Sequence, residues 1–330
     1  MTPQSLLTRI AARSRFTSAA FHVWKGQIEM EDGRPSFTAI ASAMVRAAHL
    51  LWDDPPKIFE DTLALQLSGV ASEAELRQRF DVLSKEFAAE SSPELAQATL
   101  RYIRCPVTMR SRYVEDELDQ AIKRGVSQYV ILGAGLDSFA NRRPNVVKVL
   151  RVFEVDYPAT QAWKRARLQE LGIALPPNLV FVPLDFEKQS LIESLRENGY
   201  RPNVPALFSW LGVTPYLTRD AIFDTLRMVA SMAPGTEIIF QYVLPAALLD
   251  EETRQILDLL KARGAARGEP MITFFEPASL AAQVRELGFG EVLEFGPEEA
   301  NARYFANRTD GLRMRDMDHF MKARVGPASG

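Results

Sequence analysis

The chain has 330 residues, and its 39 Lys and Arg against 42 Asp and Glu give a net charge of −3 at pH 7. Hydrophobic residues make up 47% and charged residues 25%, as in an ordinary globular protein. This balance argues against a general nucleic-acid-binding protein, because such proteins depend on an excess of positive charge. The single cysteine excludes an internal disulfide, and three histidines make a His-rich metal cluster unexpected. We therefore expect no metal and no nucleic-acid partner.

No targeting or membrane segment is predicted. The first residues carry arginines among the apolar ones and lack the continuous hydrophobic stretch of a signal peptide. The longest uncharged run, 202–218, has 17 residues and contains prolines. It is too short for a transmembrane helix, which needs about 20 apolar residues. We expect a cytoplasmic protein with no membrane partner, and the sequence does not indicate an oligomeric state.

The first 110 residues are predicted to be helical. Ile40, Met44, Ala47 and Leu51 recur at helical spacing. Further along, a serine followed three residues later by a glutamate is typical of a helix start. We predict a helical cap region over 1–110, packed over the mouth of a site in the rest of the chain.

From Ser111 onwards, helices of 12 to 16 residues alternate with short apolar strands. The strands are predicted at 128–133, 149–156, 178–185, 204–212 and 236–243. This alternation predicts βαβ units and a parallel sheet that binds its ligand at the carboxyl ends of the strands. The expected fold class is α/β, a doubly wound, mostly parallel Rossmann-like sheet in a core spanning 111–330.

The alternation is interrupted after the fifth predicted strand. The stretch 244–276 is expected to be an insertion that contacts substrate or acts as a lid. A helix is predicted over 277–288. The segments 291–296 and 302–307 are then predicted to pair as a terminal antiparallel hairpin.

Chemistry-bearing residues follow the first two predicted strands. Gly133-Ala134-Gly135 comes directly after the first strand, where glycines let the backbone turn sharply and approach a ligand. Glu154 and Asp156 lie 19 and 21 residues after Gly135, near the spacing of the ribose-binding acid in nucleotide-binding sheets. Being two residues apart, the acids share one side of the strand. Asp156 is nearer the strand end and is the preferred ribose ligand.

The residues around the turn distinguish between nucleotides. Ser138 replaces the third glycine of a dinucleotide-binding motif, and Asp137 at the helix entrance would repel a pyrophosphate. The third strand also ends in an acid, Asp185, whose carboxylate can accept a hydrogen bond from an adenine amine. These features favour S-adenosyl-L-methionine (SAM) over NAD. An NAD-dependent oxidoreductase and a non-catalytic SAM-binding protein remain the alternatives.

Several segments of the chain resemble a known family. They are RSRY at 110–113, LGAGLD at 132–137 and FEVDYP at 153–158, joined by RAAH at 46–49, WLGVTPYL at 210–217, YF at 304–305 and RTDGL at 308–312. This combination is similar to the leucine carboxyl methyltransferase family of class I SAM-dependent methyltransferases, and closer to the bacterial branch that methylates small molecules. The resemblance covers about 35–315.

The resemblance implies roles for individual residues. Arg110 would hold the SAM carboxylate, Gly133 would make a backbone contact, Asp156 would bind the ribose and Asp185 would face the adenine. In the branch that methylates protein phosphatases, the position of Leu211 is a glutamate that contacts SAM. The leucine therefore argues against a phosphatase substrate.

The predicted cofactor-binding residues are Arg110, Gly133, Ala134, Gly135, Glu154, Asp156, Asp185 and Phe186. The expected reaction is methyl transfer from SAM to an oxygen of a small-molecule acceptor, with a carboxylate favoured over a hydroxyl. A carboxylate is already ionised and needs no general base. No catalytic residue is assigned.

Other charged and aromatic residues have competing interpretations. Arg110 and Arg112 are predicted near a helix start, where cations are disfavoured, so they would require an anion. Arg46 is either a second carboxylate ligand or a surface arginine, and the second interpretation is favoured. Trp210 and Tyr216 are expected in the core, with a sulfonium contact as the alternative. His49 and Cys105 are expected to be structural rather than catalytic.

Overall fold

The computed structural model describes residues 35–185 and 189–326. Within these ranges the strands are β1 (Gln128–Leu132), β2 (Arg151–Asp156), β3 (Leu179–Pro183), β4 (Ala206–Trp210), β5 (Glu237–Val243), β6 (Phe289–Phe295) and β7 (Asp318–Val325). They form one sheet in the order β3-β2-β1-β4-β5-β7-β6. β1 to β5 are parallel, whereas β7 runs antiparallel to both β5 and β6. The predicted α/β doubly wound fold is confirmed.

The helices in the described ranges lie between and around these strands. They are α1 (Phe37–Trp52), α2 (Ala64–Leu67), α3 (Glu73–Glu90), α4 (Pro93–Lys123), α5 (Phe139–Arg142), α6 (Pro144–Val147), α7 (Pro158–Glu170), α8 (Leu191–Glu197), α9 (Arg219–Ala230), α10 (Glu251–Ala265), α11 (Pro277–Glu286) and α12 (Pro297–Tyr304). None of them is long and apolar enough to cross a membrane.

The central strands are buried on both faces of the sheet. Val130 and Leu132 of β1 belong to one hydrophobic cluster, whereas Tyr129 and Ile131 belong to the cluster on the opposite face. This alternation follows from the two-residue period of a strand. Burial of both faces explains why β1 and β4 are mostly apolar in the sequence. The strand order reverses between β1 and β4, and this switch point is where open α/β sheets bind ligands.

The predicted terminal hairpin is wrong in one of its strands. Residues 297–304 form α12 rather than a strand, and β6 pairs instead with β7. Pro297 occupies the first turn of α12, where its fixed φ suits a helix and its missing N–H costs no hydrogen bond. At the other end of the helix, the Tyr304 hydroxyl donates to Asp116 of α4 at 2.9 Å. The proline at the helix start and this tertiary contact outweigh the strand propensity of the aromatic pair.

Arg110 does not lie near a helix start. It is inside α4, a helix of 31 residues that contains Pro106 and continues past Ser111. The expectation that an unfavourable helix dipole demands an anion at Arg110 and Arg112 is therefore wrong. The division into a cap of 1–110 and a core of 111–330 stays a prediction, although α4 runs through the proposed boundary.

Candidate functional site

A cavity of about 530 Å³ lies at the carboxyl ends of β1, β2, β3 and β4. This volume is within the range of roughly 300–1,000 Å³ that is usual for small-molecule sites. Segments far apart in sequence line it. Among them are the end of β1 with the turn after it, 131–137, residues of α1 such as Ala39, and the segment 268–270 that follows α10. The stretch predicted as an insertion, 244–276, thus contributes to the cavity wall.

The turn after β1 has a backbone that only glycine adopts easily. Gly133 and Gly135 have φ values of +66° and +51°. A Cβ added at Gly133 would lie 2.3 Å from Cγ2 of Val213, and one added at Gly135 would lie 3.1 Å from Cβ of Ala39. Both glycines therefore allow the turn to pack against protein side chains. This differs from the expectation that their missing Cβ atoms chiefly make room for a ligand.

The two acids of β2 are in different surroundings. Asp156 lines the cavity, and its carboxylate accepts hydrogen bonds from the backbone N–H of Tyr157, at 2.6 Å, and of Gly135. Glu154 is 1% exposed, forms an ion pair with Lys164 at 2.5 Å and is absent from the cavity lining. Burial raises the pKa of both carboxyls, that of Glu154 to about 7. The structure therefore brings Asp156, but not Glu154, to the cavity.

Arg110 lines the cavity with its guanidinium bonded to neutral groups. Its Nη1 donates to Gln241 Oε1 at 3.1 Å and its Nη2 donates to Ser42 Oγ at 3.0 Å. Among the residues that the structure describes, it forms no ion pair. Burial, followed by the nearby charge of Arg46, lowers the pKa of Arg110 to about 10, so the group is cationic at neutral pH. A desolvated cation with neutral partners is a good partner for an anion.

Arg46 is buried rather than on the surface, so the favoured interpretation was wrong. It is 6% exposed, donates from Nε to Asp61 at 2.8 Å and donates from Nη2 to the carbonyl of Leu136 at 2.6 Å. Burial raises the pKa of Asp61, but the Arg46 and Arg142 guanidiniums more than offset this and hold it below its usual value. Arg46 already has a carboxylate partner and supports the turn after β1.

The remaining predicted residues have the following positions. Ala134 and Asp185 line the cavity, and Phe186 lies outside the described residues. Tyr216 also lines the cavity, whereas Trp210 is fully buried in the core. The tyrosine is therefore the aromatic residue of this pair that can face a ligand.

Glu269 is a site residue that the sequence patterns did not identify. Its Oε1 accepts from Ser36 Oγ at 2.9 Å and from the Phe37 N–H at 3.0 Å. Its Oε2 accepts from the Thr38 N–H at 3.1 Å and also from the Thr38 hydroxyl. The carboxylate thus caps the positive end of α1 and ties α1 to the segment 268–270 at the cavity. The only signal in the sequence was the break in the strand–helix rhythm over 244–276.

The histidines that the structure describes are bonded to other groups. His49 Nε2 accepts from the Ile58 N–H at 3.0 Å, and its Nδ1 contacts Asp53 at 2.8 Å. Both ring nitrogens of His319 contact carboxylates, at 2.6 and 2.8 Å. Cys105 is buried, and this burial raises the pKa of its thiol to about 12. The interpretation of His49 and Cys105 as structural residues stays a prediction.

The fold and sequence both have known relatives. The chain superimposes on the crystal structure of a DUF574 family protein from Streptomyces avermitilis with a TM-score of 0.50 and 16% identity, covering 71% of this chain and 91% of that one. It is 31% identical over 303 residues to YktD of Bacillus subtilis, which is named as a SAM-dependent methyltransferase, covering 89% of this chain and 99% of YktD. Rv0830 of Mycobacterium tuberculosis, named in the same way, is 33% identical over 146 residues, covering 43% and 47% of the two chains.

The fold and these similarities define a class I, Rossmann-like methyltransferase that uses SAM as its cofactor. The family description of leucine carboxyl methyltransferase matches residues 39–230. The chain therefore belongs to the leucine carboxyl methyltransferase family. The class and cofactor predicted from the sequence are confirmed, and the alternative of an NAD-dependent oxidoreductase is rejected.

The residues at the cavity fit SAM. The cofactor carries a carboxylate, ribose hydroxyls and a positively charged sulfonium. The cavity offers the cation of Arg110 and the acceptor carboxylate of Asp156 within one continuous lining. Its further acids, Asp137 and Asp185, are compatible with a ligand that also carries positive charge.

Proposed function

We propose that this chain transfers a methyl group from SAM to an oxygen of a small-molecule acceptor, and that this oxygen belongs to a carboxylate. The observation that carries the proposal is the Arg110 guanidinium, which faces the switch-point cavity with only neutral hydrogen-bond partners among the described residues. The carboxylate of the cofactor would pair with this guanidinium through charge-assisted hydrogen bonds.

Other cavity residues would hold the rest of the cofactor. Asp156 would accept hydrogen bonds from the ribose hydroxyls, since its two backbone donors leave lone pairs free on the carboxylate. Asp185 would accept from the adenine amine. The turn Gly133-Ala134-Gly135 supports this arrangement, because its close packing fixes the backbone that borders the cavity.

When bound, SAM supplies a methyl group that its sulfonium makes electrophilic. The chain's own contribution is then to align the acceptor with that methyl group and to exclude water. The start of α1 and the segment 268–270, joined through Glu269, border the cavity and would provide this shielding. Tyr216 would present an aromatic ring to the sulfonium, to which a cation is attracted.

The carboxylate acceptor is favoured because it needs no general base. A hydroxyl acceptor must lose its proton during transfer, and histidine is the usual base for that step. His49 and His319 both have their ring nitrogens bonded elsewhere. The family description, which names a carboxyl methyltransferase, supports the same choice.

A small molecule is favoured over a protein acceptor. Leu211 lines the cavity at the position where the resemblance implies a glutamate in the phosphatase-methylating branch. A leucine there adds apolar surface and removes a carboxylate. The absence of this glutamate counts against the phosphatase-methylating branch and so favours a small-molecule acceptor.

The experiment is methyl transfer from radiolabelled SAM to a panel of carboxylic acids, with the matching alcohols and phenols as comparators. Methyl esters formed from the carboxylic acids should release labelled, volatile methanol in mild alkali. Methyl ethers formed from alcohols or phenols should keep their label, because an ether does not hydrolyse under these conditions. Asp156→Ala should lose turnover at limiting SAM. Gly172→Ala, in an open surface turn, is the control and should keep its turnover. Label that is stable in alkali would reject the carboxylate acceptor. A complete lack of transfer across the panel would favour the non-catalytic alternative.

A further inference from the structure

Arg110 is the outermost residue in a series of hydrogen-bonded polar side chains that extends into the interior. Gln241 in the middle of β5 is 4% exposed, accepts from Arg110 through Oε1 and donates from Nε2 to Asp318 at 2.5 Å. Asp318, at the start of β7, is 7% exposed and also accepts from the hydroxyl of Tyr102. This series of hydrogen bonds thus connects side chains of α4 and the sheet to the Arg110 guanidinium in the cavity wall.

The chemistry of the end groups dictates the orientation of the Gln241 amide. A guanidinium can only donate hydrogen bonds, and an ionised carboxylate can only accept them. The amide oxygen must therefore face Arg110 and the amide nitrogen must face Asp318. In the flipped orientation, two donors would meet at Arg110 and two acceptors at Asp318, at a buried site where each unmade hydrogen bond is costly.

The amide also keeps the two charges apart. Gln241 is neutral, so it fixes the direction of the Arg110 guanidinium without neutralising it. Asp318 is held by its two donors and, among the described residues, forms no ion pair with Arg110. Gly212 packs against the same guanidinium, since a Cβ there would lie 2.3 Å from Nη1. The Arg110 cation is thereby held in position while its charge stays available to a ligand.

We infer that Gln241 and Asp318 are positioning residues that orient Arg110 toward the carboxylate of the cofactor. The inference rests on the proposed role of Arg110, and it assigns function to two residues that neither the sequence motifs nor the family resemblance identified. Gln241 acts directly on Arg110. Asp318 acts one step further away, by holding the amide in the only orientation that serves the guanidinium.

The test compares two ligands by calorimetry on the full chain. S-adenosylhomocysteine carries the amino-acid carboxylate, whereas 5′-methylthioadenosine shares the adenosine and the sulfur but lacks it. Gln241→Met keeps the side chain's length and removes its hydrogen bonds. It should weaken S-adenosylhomocysteine by roughly tenfold, about the effect of one hydrogen bond to a charged group, and leave methylthioadenosine within about twofold.

Further variants separate orientation from charge. Gln241→Glu should weaken S-adenosylhomocysteine at least as much, because a carboxylate would neutralise Arg110 itself. Asp318→Ala should weaken S-adenosylhomocysteine more than methylthioadenosine. Asp318→Asn should restore most of the affinity for S-adenosylhomocysteine, since an asparagine oxygen can still accept from the amide nitrogen of Gln241. Gln255→Met, an exposed glutamine on α10, is the matched control for the substitution itself.

Each outcome has a defined meaning. Equal weakening of both ligands by Gln241→Met, or weakening of neither, would overturn the inference, because a purely structural residue affects both ligands alike. If Arg110→Ala weakens S-adenosylhomocysteine more than methylthioadenosine and Gln241→Met does not, the inference alone fails. If Arg110→Ala also weakens the two ligands equally, the proposed role of Arg110 fails, and the inference fails with it.

Discussion

At the end of β2, two carboxylates two residues apart have different partners. Asp156 faces the cavity, and Glu154 forms a buried ion pair with Lys164. The period of a strand shows that these side chains share a face, but it does not show which one a helix covers. That is decided by Lys164 of α7, a lysine that is 1% exposed. In the sequence, the signal for this difference is Lys164 itself, a long cationic residue in the helix that follows β2.

Asp156→Ala should weaken SAM and S-adenosylhomocysteine equally, because the two ligands share the ribose. A charge-assisted hydrogen bond contributes about 1.5–3 kcal/mol, so the dissociation constants should rise by roughly ten- to a hundredfold. Calorimetry with both ligands measures this. Normal affinity for both in a folded variant would remove Asp156 from the site.

Glu154→Ala should have the opposite profile. Leaving Lys164 buried without its carboxylate should lower the free energy of unfolding by about 3–5 kcal/mol. The affinity of the folded protein for S-adenosylhomocysteine should change little. Thermal unfolding and calorimetry on the same sample give both quantities. A stable protein that no longer binds the ligand would move the ribose contact from Asp156 to Glu154.

At the scale of elements, the glycine turn after β1 gives a matched pair of substitutions. Gly133 and Gly172 have nearly equal φ values of +66° and +65°, but an added Cβ meets Val213 at 2.3 Å only in the first case, with nothing within 4 Å in the second. Both Ala variants should lose about 1–2 kcal/mol of stability from the left-handed backbone. Only Gly133→Ala should also weaken S-adenosylhomocysteine. Equal affinities in the two variants would show that the turn does not shape the site.

The contact between α1 and the segment 268–270 can also be tested with a matched pair of substitutions. Glu269 and Glu276 each accept two backbone N–H groups at a helix N-terminus, but only Glu269 lines the cavity. Glu269→Ala should speed hydrogen exchange in the first turn of α1 and weaken S-adenosylhomocysteine severalfold. Glu276→Ala should affect only its own helix, by about 1 kcal/mol. Unchanged exchange at Phe37 and Thr38 would show that this contact does not hold α1.

The elements that the sequence predicted well are those with strong local patterns. All five parallel strands were predicted within two residues at each end, because apolar runs between amphipathic helices are specific to this fold class. The segment 302–307 was misassigned because its aromatic residues favour a strand and the contacts of α12 to α4 are invisible locally. Glu269 and Gln241 were missed for a related reason. Their partners are about 230 and 130 residues away in the chain, a separation that no local pattern reports.

At the scale of the whole molecule, we expect the described histidines to serve the packing of the chain rather than the chemistry. His49→Ala would leave the buried backbone N–H of Ile58 without its acceptor and should cost about 1–3 kcal/mol, whereas Asp53 would keep its ion pair with Arg104. His319→Ala should lose mainly the packing of its buried ring, because its partners Glu294 and Asp316 are exposed and stay hydrated. Turnover per folded molecule should nevertheless stay within about tenfold, because losing a true general base costs roughly 10²–10⁴-fold. The prediction extends to His22→Ala, whose position lies outside the described residues.

The pH profile gives an independent test of the same acceptor chemistry. If the acceptor is a carboxylate, the single-turnover rate should be flat above the pKa of that carboxylate, which is near 4 in simple acids. Stopped single turnovers across pH 5 to 9 with the best acceptor would measure it. A limb with an enzyme pKa near 6.5 that disappears in one folded histidine variant would instead identify that histidine as a base and a hydroxyl as the acceptor.

The most direct measurement is a crystal structure of the complete chain with S-adenosylhomocysteine. The ligand should lie in the cavity at the ends of β1, β2 and β4, with its carboxylate at hydrogen-bond distance, about 2.7–3.2 Å, from the Arg110 guanidinium. Its ribose hydroxyls should contact Asp156. A ligand bound elsewhere, or bound here with its carboxylate turned away from Arg110, would contradict the site described above.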